Sequence, residues 1–502
     1  MTTHRNLTSP LQLRGQTLRN RIVFGAHTNN MADQGLPGPR QGKYLVERAL
    51  GGAAMVVCEP VPAHRTGVLT RGNIAHESDA IVPHFRRITD EVKGAGAVAI
   101  QQIYHIGAHG DSDLSFQPHW SPSGGPSYHD SDGSHRMTVN EINELLDAHA
   151  AAARRAKDCG FDGVEVWAAY HSLIDQFWTP WSNTRDDDWG GSVENRTRFS
   201  RTLIDRIRRD CGEDFVIGLA ISYSPAFSGT TLSAENLCEI IDLHDRTGHV
   251  DYVTTGFGSY LEFEGITPPF THAEKLTTPL TAQLKALVKH AKITSEAGIR
   301  TPDNAETIIS SGEADLVSIV RGQIADPHLA RKVMEGRADD IRPCLSCNQM
   351  CWGRRSRDYW ISCLINPSAG REFEWGGDRF TKAEKPRSVL VVGAGPAGLE
   401  AARAAAERGH KVEIIEALPV IGGQFRLAGQ QPRRAQILDL LDWYERQFTR
   451  LGVSLRLNTY MEEDEIAAHP AEAGALAPGP SPPANPFPPW PPQQPTPPRA
   501  GG

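Results

Sequence analysis

The stretch 139–168, VNEINELLDAHAAAARRAKDCGFDGVEVWA, decides the fold. Val139–Cys159 carries a helical pattern, with Ile142, Leu145, Leu146 and the alanines recurring on one face. Gly163–Ala168 follows as a short, mostly apolar run of strand character. The same alternation extends from residue 20 to residue 321. It predicts eight strands: Arg21–Ala26, Ala54–Glu59, Val98–Tyr104, Gly163–Ala168, Val216–Ser222, Asp251–Thr255, Ala291–Glu296 and Asp315–Arg321. Helical stretches lie between most of them. The expected class is α/β, with residues 1–340 forming a (β/α)8 TIM barrel whose active site lies at the C-terminal strand ends. An open doubly wound sheet is the alternative that pattern alone allows.

Composition sets the limits. The chain has 502 residues, enough for two or three domains, and its 22% charged and 39% hydrophobic content is that of a soluble enzyme. A formal net charge of -8 gives no electrostatic case for nucleic acid. No apolar run is long enough for a membrane span, and the start, MTTHRNLTSPLQLRG, has no signal-peptide core. Cys58, Cys159, Cys211 and Cys238 are scattered and expected as small buried hydrophobes, which fits a reducing, cytoplasmic compartment.

The other four cysteines are concentrated in CLSCNQMCWGRRSRDYWISC, residues 344–363. Cys344, Cys347, Cys351 and Cys363 have the spacing C-x2-C-x3-C-x11-C. Soft thiolates this close together suit a [4Fe–4S] cluster; zinc is the alternative. Residues 341–385 would then be a connecting segment held together by its metal.

Residues 385–417, KPRSVLVVGAGPAGLEAARAAAERGHKVEIIEA, read strand, glycine turn, helix, strand. Gly393, Gly395 and Gly398 let backbone approach a pyrophosphate, and Glu416 is placed for the ribose hydroxyls of FAD or ADP. A helix is expected at Ala435–Leu451, giving a partial Rossmann-like domain over 386–470 and a weak site. Twelve prolines between Pro478 and Pro498 mark 471–502 as a Pro-rich tail expected to be disordered or polyproline-like and not to continue a sheet. It could serve as a ligand for a proline-recognition domain, or reflect truncation or a frame change.

Several stretches together resemble the flavin–iron–sulfur branch of the old yellow enzyme family, which includes 2,4-dienoyl-CoA reductases, trimethylamine dehydrogenase and N-methylamine demethylases. They are LTSPLQLRGQTLRNRIV, DQFWTPWSNTRDDDWGGSVENRTRF, GIRTPDNAETI, VRGQIADPHLARK, the cysteine block with INPSAGRE, and IGGQFRLAG. The likeness covers roughly residues 7 to 460. It implies FMN on the barrel: Thr28 near the flavin C4 carbonyl, Gln102 at the pyrimidine ring, and Arg321, Gly322 and the backbone near Gly298 at the phosphate. It adds Gln424 to the nucleotide site. Such chains run beyond 502 residues, so a C-terminal truncation is expected, with the NAD(P)-binding insert missing.

The resemblance breaks after the fourth strand. The family has a His-x-x-His or His-x-x-Asn pair there, with a tyrosine two residues on. This chain has VEVWAAYHSLIDQF: Trp167 and Tyr170 stand at the pair positions, Ser172 at the tyrosine, and His171 one residue out of register. Ala220 replaces a family arginine. Aromatic rings suit cationic N-methylated amines. Trp167, Tyr170 and His171 are therefore the catalytic candidates, with Tyr170 or His171 orienting or deprotonating the substrate.

Three functions follow. One is oxidation of an N-methylated or secondary amine, with hydride passing to FMN and single electrons leaving through the cluster to a partner such as an electron-transfer flavoprotein. The second is the reverse flow, NAD(P)H reducing an enoyl or dienoyl substrate. The third is a non-catalytic electron carrier. The partners expected are a small-molecule substrate, one of these redox partners, and a second copy of the chain in a homo-oligomer. Among the histidines before residue 140 (His27, His64, His76, His105, His109, His119, His129 and His135) only His105 is expected near the flavin. The run Asp186–Asp188 is expected to support a loop rather than bind a metal.

Overall fold

The computed structural model describes residues 4–70, 72–74, 79–110, 112, 116–127, 133–227, 229–377 and 380–479. His76, His129 and nearly all of the proline run lie outside the described residues. The chain divides into two units, Met1–Phe380 and Thr381–Gly502.

In the first unit, eight parallel strands close into a barrel in chain order. They are β1 (Ile22–Phe24), β2 (Met55–Pro62), β3 (Val98–Tyr104), β4 (Gly163–Ala168), β5 (Val216–Tyr223), β6 (Tyr252–Phe257), β7 (Lys292–Ser295) and β8 (Leu316–Ser318). Every residue of β3 and β4 is buried, as expected for parallel strands covered on both faces. Along β4, Val164 and Val166 join the main core. Glu165, between them, hydrogen-bonds Gln102 of β3 and Thr254 of β6, so it points into the barrel. Gly218 of β5 is paired with Glu165; a Cβ there would stand 2.2 Å from the Tyr252 ring, so only glycine leaves the ring its place.

The open-sheet alternative falls with barrel closure. Two predicted strands match to the residue, Val98–Tyr104 and Gly163–Ala168. The eighth is cut from Asp315–Arg321 to Leu316–Ser318, because Val320–Ala325 turns into a helix that carries Arg321. The predicted helix spans Val139–Asp158, opens on a capping box between Thr138 and Glu141, and ends with Cys159 as its C-cap. Within the first unit, residues 341–377 are packed on the barrel. Arg48 and Glu372 form a fully buried ion pair, and Asn366 donates to the Ile324 carbonyl at 2.9 Å.

The second unit holds a four-stranded parallel sheet: β9 (Ser388–Val392), β10 (Lys411–Ile415), β11 (Ser454–Arg456) and β12 (Ala473–Leu476), in the order β11-β10-β9-β12. Helices Pro396–Glu407 and Gln436–Leu451 accompany it. β12 corrects the expectation that nothing past residue 470 continues a sheet. Its AGAL has weak strand propensity, but Val389–Val392 offers an open edge and pairs with it from Ala473 to Leu476. A partner strand overrides local preference. Among the described residues no helix is long and apolar enough to cross a membrane.

Candidate active site

Aromatic side chains gather at the C-terminal mouth of the barrel. Tyr104, Trp167, Tyr260, Leu69, Ile106, Ala169 and Ala220 form one buried group, with Tyr170, Phe263 and Ile266 against it. The Tyr104 and Trp167 ring centroids are 5.0 Å apart, and Trp167 meets Tyr170 edge-on at 6.1 Å.

Tyr170 and His171 follow β4 at φ +61° and +64°. Two successive non-glycine residues in the left-handed region cost of order 1–3 kcal/mol each. Three bonds hold them there. Ser222 Oγ accepts from the Tyr170 amide at 2.7 Å, Asp175 Oδ2 from the His171 amide at 2.8 Å, and Gln176 Nε2 donates to the His171 carbonyl at 2.7 Å.

The turn sends the two side chains different ways. Tyr170 crosses over β6, where a Cβ on Gly256 would lie 2.4 Å from its hydroxyl. Its ring keeps some exposure while the hydroxyl lies deep, and burial, with Glu296, Tyr260 and Glu165 nearby, raises its pKa well above the usual phenol value. His171 instead turns to His109, with Nδ1 2.9 Å from His109 Nε2, and to Trp181, 5.5 Å away between centroids. Burial lowers its pKa to about 4. Trp167 and Tyr170 thus come together, while His171 packs on His109 and Trp181.

Below the mouth lie three buried carboxyls. Glu165 accepts from Gln102 Nε2 at 2.6 Å and Thr254 Oγ1 at 2.9 Å, and burial raises its pKa. Glu296 accepts from Ser318 Oγ at 2.5 Å over Gly25, and burial raises it to about 7. Glu59 accepts from the Asn29 amide and Gln41 Nε2, both at 2.9 Å, and burial raises it to about 8. Sequence reasoning missed all three; the available signal was an acid at an inward strand position.

The expected flavin residues are distributed around this floor. Gln102 spends its amide on Glu165. Thr28, partly exposed, precedes Asn29 in the loop after β1. Gly298, after β7, has φ +73°, accepts from the Lys275 amide at 3.1 Å, and leads into helix Pro302–Ser310. His105 is buried, bonded to Thr66 Oγ1 at 3.0 Å and the Gly107 amide at 3.0 Å.

Cys344, Cys347, Cys351 and Cys363 line one cavity with Arg321 and Asn348. Ser346 and Asn348, at φ +51° and +56°, fold the loop, and the Ser346 amide points to Cys344 Sγ at 3.4 Å. Burial raises the thiol of Cys347, that of Cys351 to about 11 and that of Cys363 to about 12, and Arg321 opposes the rise at Cys347 and Cys351. Arg321 Nη1 donates to Asn348 Oδ1 at 2.8 Å, so this guanidinium faces the cysteines as well as the end of β8. Among the described residues no three His, Cys, Asp or Glu side chains converge on a single-ion position.

In the second unit, Gly393 has φ +99°, and Gly395 caps helix Pro396–Glu407. A Cβ on Gly398 would stand 2.0 Å from the Gly393 carbonyl, so strand and helix cross too closely for any other residue. Glu416 follows β10 and accepts from the amides of Ala394 at 2.6 Å and Leu418 at 2.9 Å. Gln424 lies on helix Gly423–Gly429, whose cap Gly422 donates to the Ala394 carbonyl at 2.7 Å.

Residues 388–439 match the FAD dependent oxidoreductase family. N,N-dimethylglycine/sarcosine dehydrogenase of Chromohalobacter salexigens is 35% identical over 490 residues, which are 95% of this chain and 69% of that protein. A probable N-methylproline demethylase of Rhizobium meliloti is 35% identical over 481 residues, 94% of this chain and 70% of that one. A solved 2-naphthoyl-CoA reductase complex superposes with TM-score 0.90 at 30% identity, covering 95% of this chain and 74% of that chain. Residues 6–340 match the NADH:flavin oxidoreductase / NADH oxidase family, and the chain, a flavin-dependent oxidoreductase, belongs to it.

Proposed function

We propose that the protein oxidises an N-methylated or secondary amine at FMN on the barrel mouth and passes electrons through a [4Fe–4S] cluster on Cys344, Cys347, Cys351 and Cys363. The aromatic mouth carries this reading. Trp167, Tyr170, Tyr104 and Tyr260 gather where the substrate must meet the flavin, and their faces attract a methylated ammonium by about 0.5–2 kcal/mol per good contact. Bound FMN would supply a two-electron acceptor for a hydride from the N-methyl carbon of the amine once it has given its proton to solvent; water would release formaldehyde and the demethylated amine from the oxidised product, and an acceptor such as an electron-transfer flavoprotein would take the electrons.

The residues fit these groups. Asn29 Nδ2, next to Thr28 in the loop after β1, is buried without a hydrogen-bond partner among the described residues, as a donor for a polar ring would be. Gly298, Arg321 and Gly322 stand after β7 and β8, where barrels bind phosphate. Four thiols around one cavity, without closing on one ion, suit a cluster better than lone zinc. Gly393, Gly395, Gly398, Glu416 and Gln424 would hold FAD or ADP. Eight free cysteines suit a reducing cytoplasm.

Tyr170 stays a neutral phenol at physiological pH, so it orients the substrate nitrogen by hydrogen bonding and does not act as the base. The test is anaerobic absorbance of the purified holoprotein. Adding sarcosine should bleach the flavin band. No bleaching with methylated amines, but bleaching by NADH that an enoyl-CoA reverses, would overturn the amine reading in favour of the reductase.

A further inference from the structure

Arg355 is a buried basic residue between Cys351 and Cys363. It ends the short helix Trp352–Arg355, inside the cysteine segment. Its side chain nevertheless leaves that segment's surface: Arg355 is 9% exposed, against exposed neighbours Ser356, Arg357 and Asp358. Its guanidinium carbon lies 5.1 Å from the Trp352 ring centroid, Trp352 packs on Phe263 at 5.1 Å, and Phe263 on Tyr260 at 5.9 Å. Arg355 acts electrostatically on the Tyr104 and Tyr260 hydroxyls, so the charge stands at the aromatic mouth. The loop after β1 holds it there, since Asn30 Nδ2 donates to the Arg355 carbonyl at 3.2 Å and Thr70 Oγ1 to Asn30 Oδ1 at 2.7 Å.

Nε of this guanidinium is buried without a hydrogen-bond partner among the described residues. A buried cation normally has a carboxylate, as Arg48 has Glu372. At Cys347 and Cys351 the acting cation is Arg321. The carboxylate acting on Arg355 is Asp358, an exposed residue three positions on, and Nε is still left without a hydrogen-bond partner among the described residues, a place for a ligand. A planar guanidinium presents a fork that matches a carboxylate.

Resting on the amine reading above, we infer that Arg355 anchors a substrate carboxylate at the barrel mouth, so the substrate is an N-methylated amino acid rather than a simple alkylamine. The zwitterion would lie with its methylated nitrogen against the aromatic faces and its carboxylate on Arg355. Arg355 is a specificity-determining residue in this assignment.

Calorimetric titration of the holoprotein with two non-substrates tests it apart from turnover. N,N,N-trimethylglycine and choline carry the same trimethylammonium and differ in carboxylate against hydroxyl. Trimethylglycine should bind about tenfold or more tighter. Arg355→Gln should abolish that preference, and Arg355→Lys should restore part of it. Equal binding of the two probes by the unaltered protein, or an undiminished preference in Arg355→Gln, overturns the assignment. The unaltered protein alone can decide the matter if the variant does not fold. Failure of sarcosine to bleach the flavin while the preference persists would sink the amine reading and leave the carboxylate site standing.

Discussion

The cysteine cavity and the barrel mouth belong to the same unit and are assembled in opposite ways. The cavity takes its four thiols from twenty consecutive residues, 344–363, folded by left-handed turns at Ser346 and Asn348. The mouth takes Tyr104, Trp167, Tyr170, Tyr260 and Arg355 from β3, β4, the turn after β4, the loop after β6 and the cysteine segment itself, more than 250 residues apart at the extremes. A contiguous site fails when one ligand is lost. A site pooled from separate elements rests on the packing beneath it, so damage there should be graded.

The largest expected effect is at the cavity. Cys347→Ser removes one of four soft ligands, and a hard hydroxyl does not replace a thiolate. Iron analysis should find the cluster lost while flavin absorbance on the barrel persists. Full iron content in the variant would break the proposed ligand set.

Next comes the floor of the mouth. Glu165→Ala would strip the acceptor from Gln102 and Thr254 and leave both buried donors unmade, at about 1–3 kcal/mol each. Urea unfolding of the barrel should shift by about 3–5 kcal/mol in total. Glu165→Gln should shift it by under about 1 kcal/mol, because the amide oxygen can still accept from Gln102 and the Thr254 hydroxyl can rotate to suit an amide. Equal losses for the two variants would mean that the charge, not the bonding, holds the floor.

The third effect depends on pH. The His171 pKa is lowered by burial from 6.5 to about 4. Its contribution to stability is therefore complete above pH 6.5 and is lost as pH falls toward 4. His171→Asn should remove up to about 3 kcal/mol of the acid-side slope, measured as urea stability at pH 7, 5.5 and 4.5. His27, His149 and His244, each also lowered to about 4 by burial, account for the slope that stays. An unchanged slope would place His171 in water.

The same contrast explains what the sequence discloses. Strands β3 and β4 are readable to the residue because apolar runs end at sharp turns. The cysteines are readable because their spacing is itself the geometry. β12 is not, because its AGAL becomes a strand only beside β9. Nor is the path of Arg321, which the helix after β8 carries toward the cysteines. Arg355 is the plainest loss: in WGRRSRDY it looks like one more solvated charge in a basic run, and only the packing of Trp352 on Phe263 turns it inward. The buried acids Glu59, Glu165 and Glu296 stand in strands or at their ends, and their one local signal is an acid at an inward strand position.

Asn348 joins the two regions, and the smallest effect is expected there. Its Oδ1 accepts from Arg321 on the helix after β8, and its Nδ2 donates to the Thr267 carbonyl beyond β6 at 2.6 Å. It also sits at φ +56°, a conformation asparagine tolerates better than most residues. Two contributions are therefore mixed, and two substitutions separate them. Asn348→Gly keeps the backbone free and removes only the two bonds, at about 1–2 kcal/mol together. Asn348→Ala removes the same bonds and adds the left-handed penalty, about 1 kcal/mol more. Resistance of cluster iron to a chelator should fall in the order Asn, Gly, Ala. If glycine equals asparagine and alanine alone is weak, the cavity needs its turn and nothing from the barrel. If glycine and alanine are equally weak, the bonds to Arg321 and Thr267 are what matter, and the apparently contiguous site depends on the barrel as much as the mouth does.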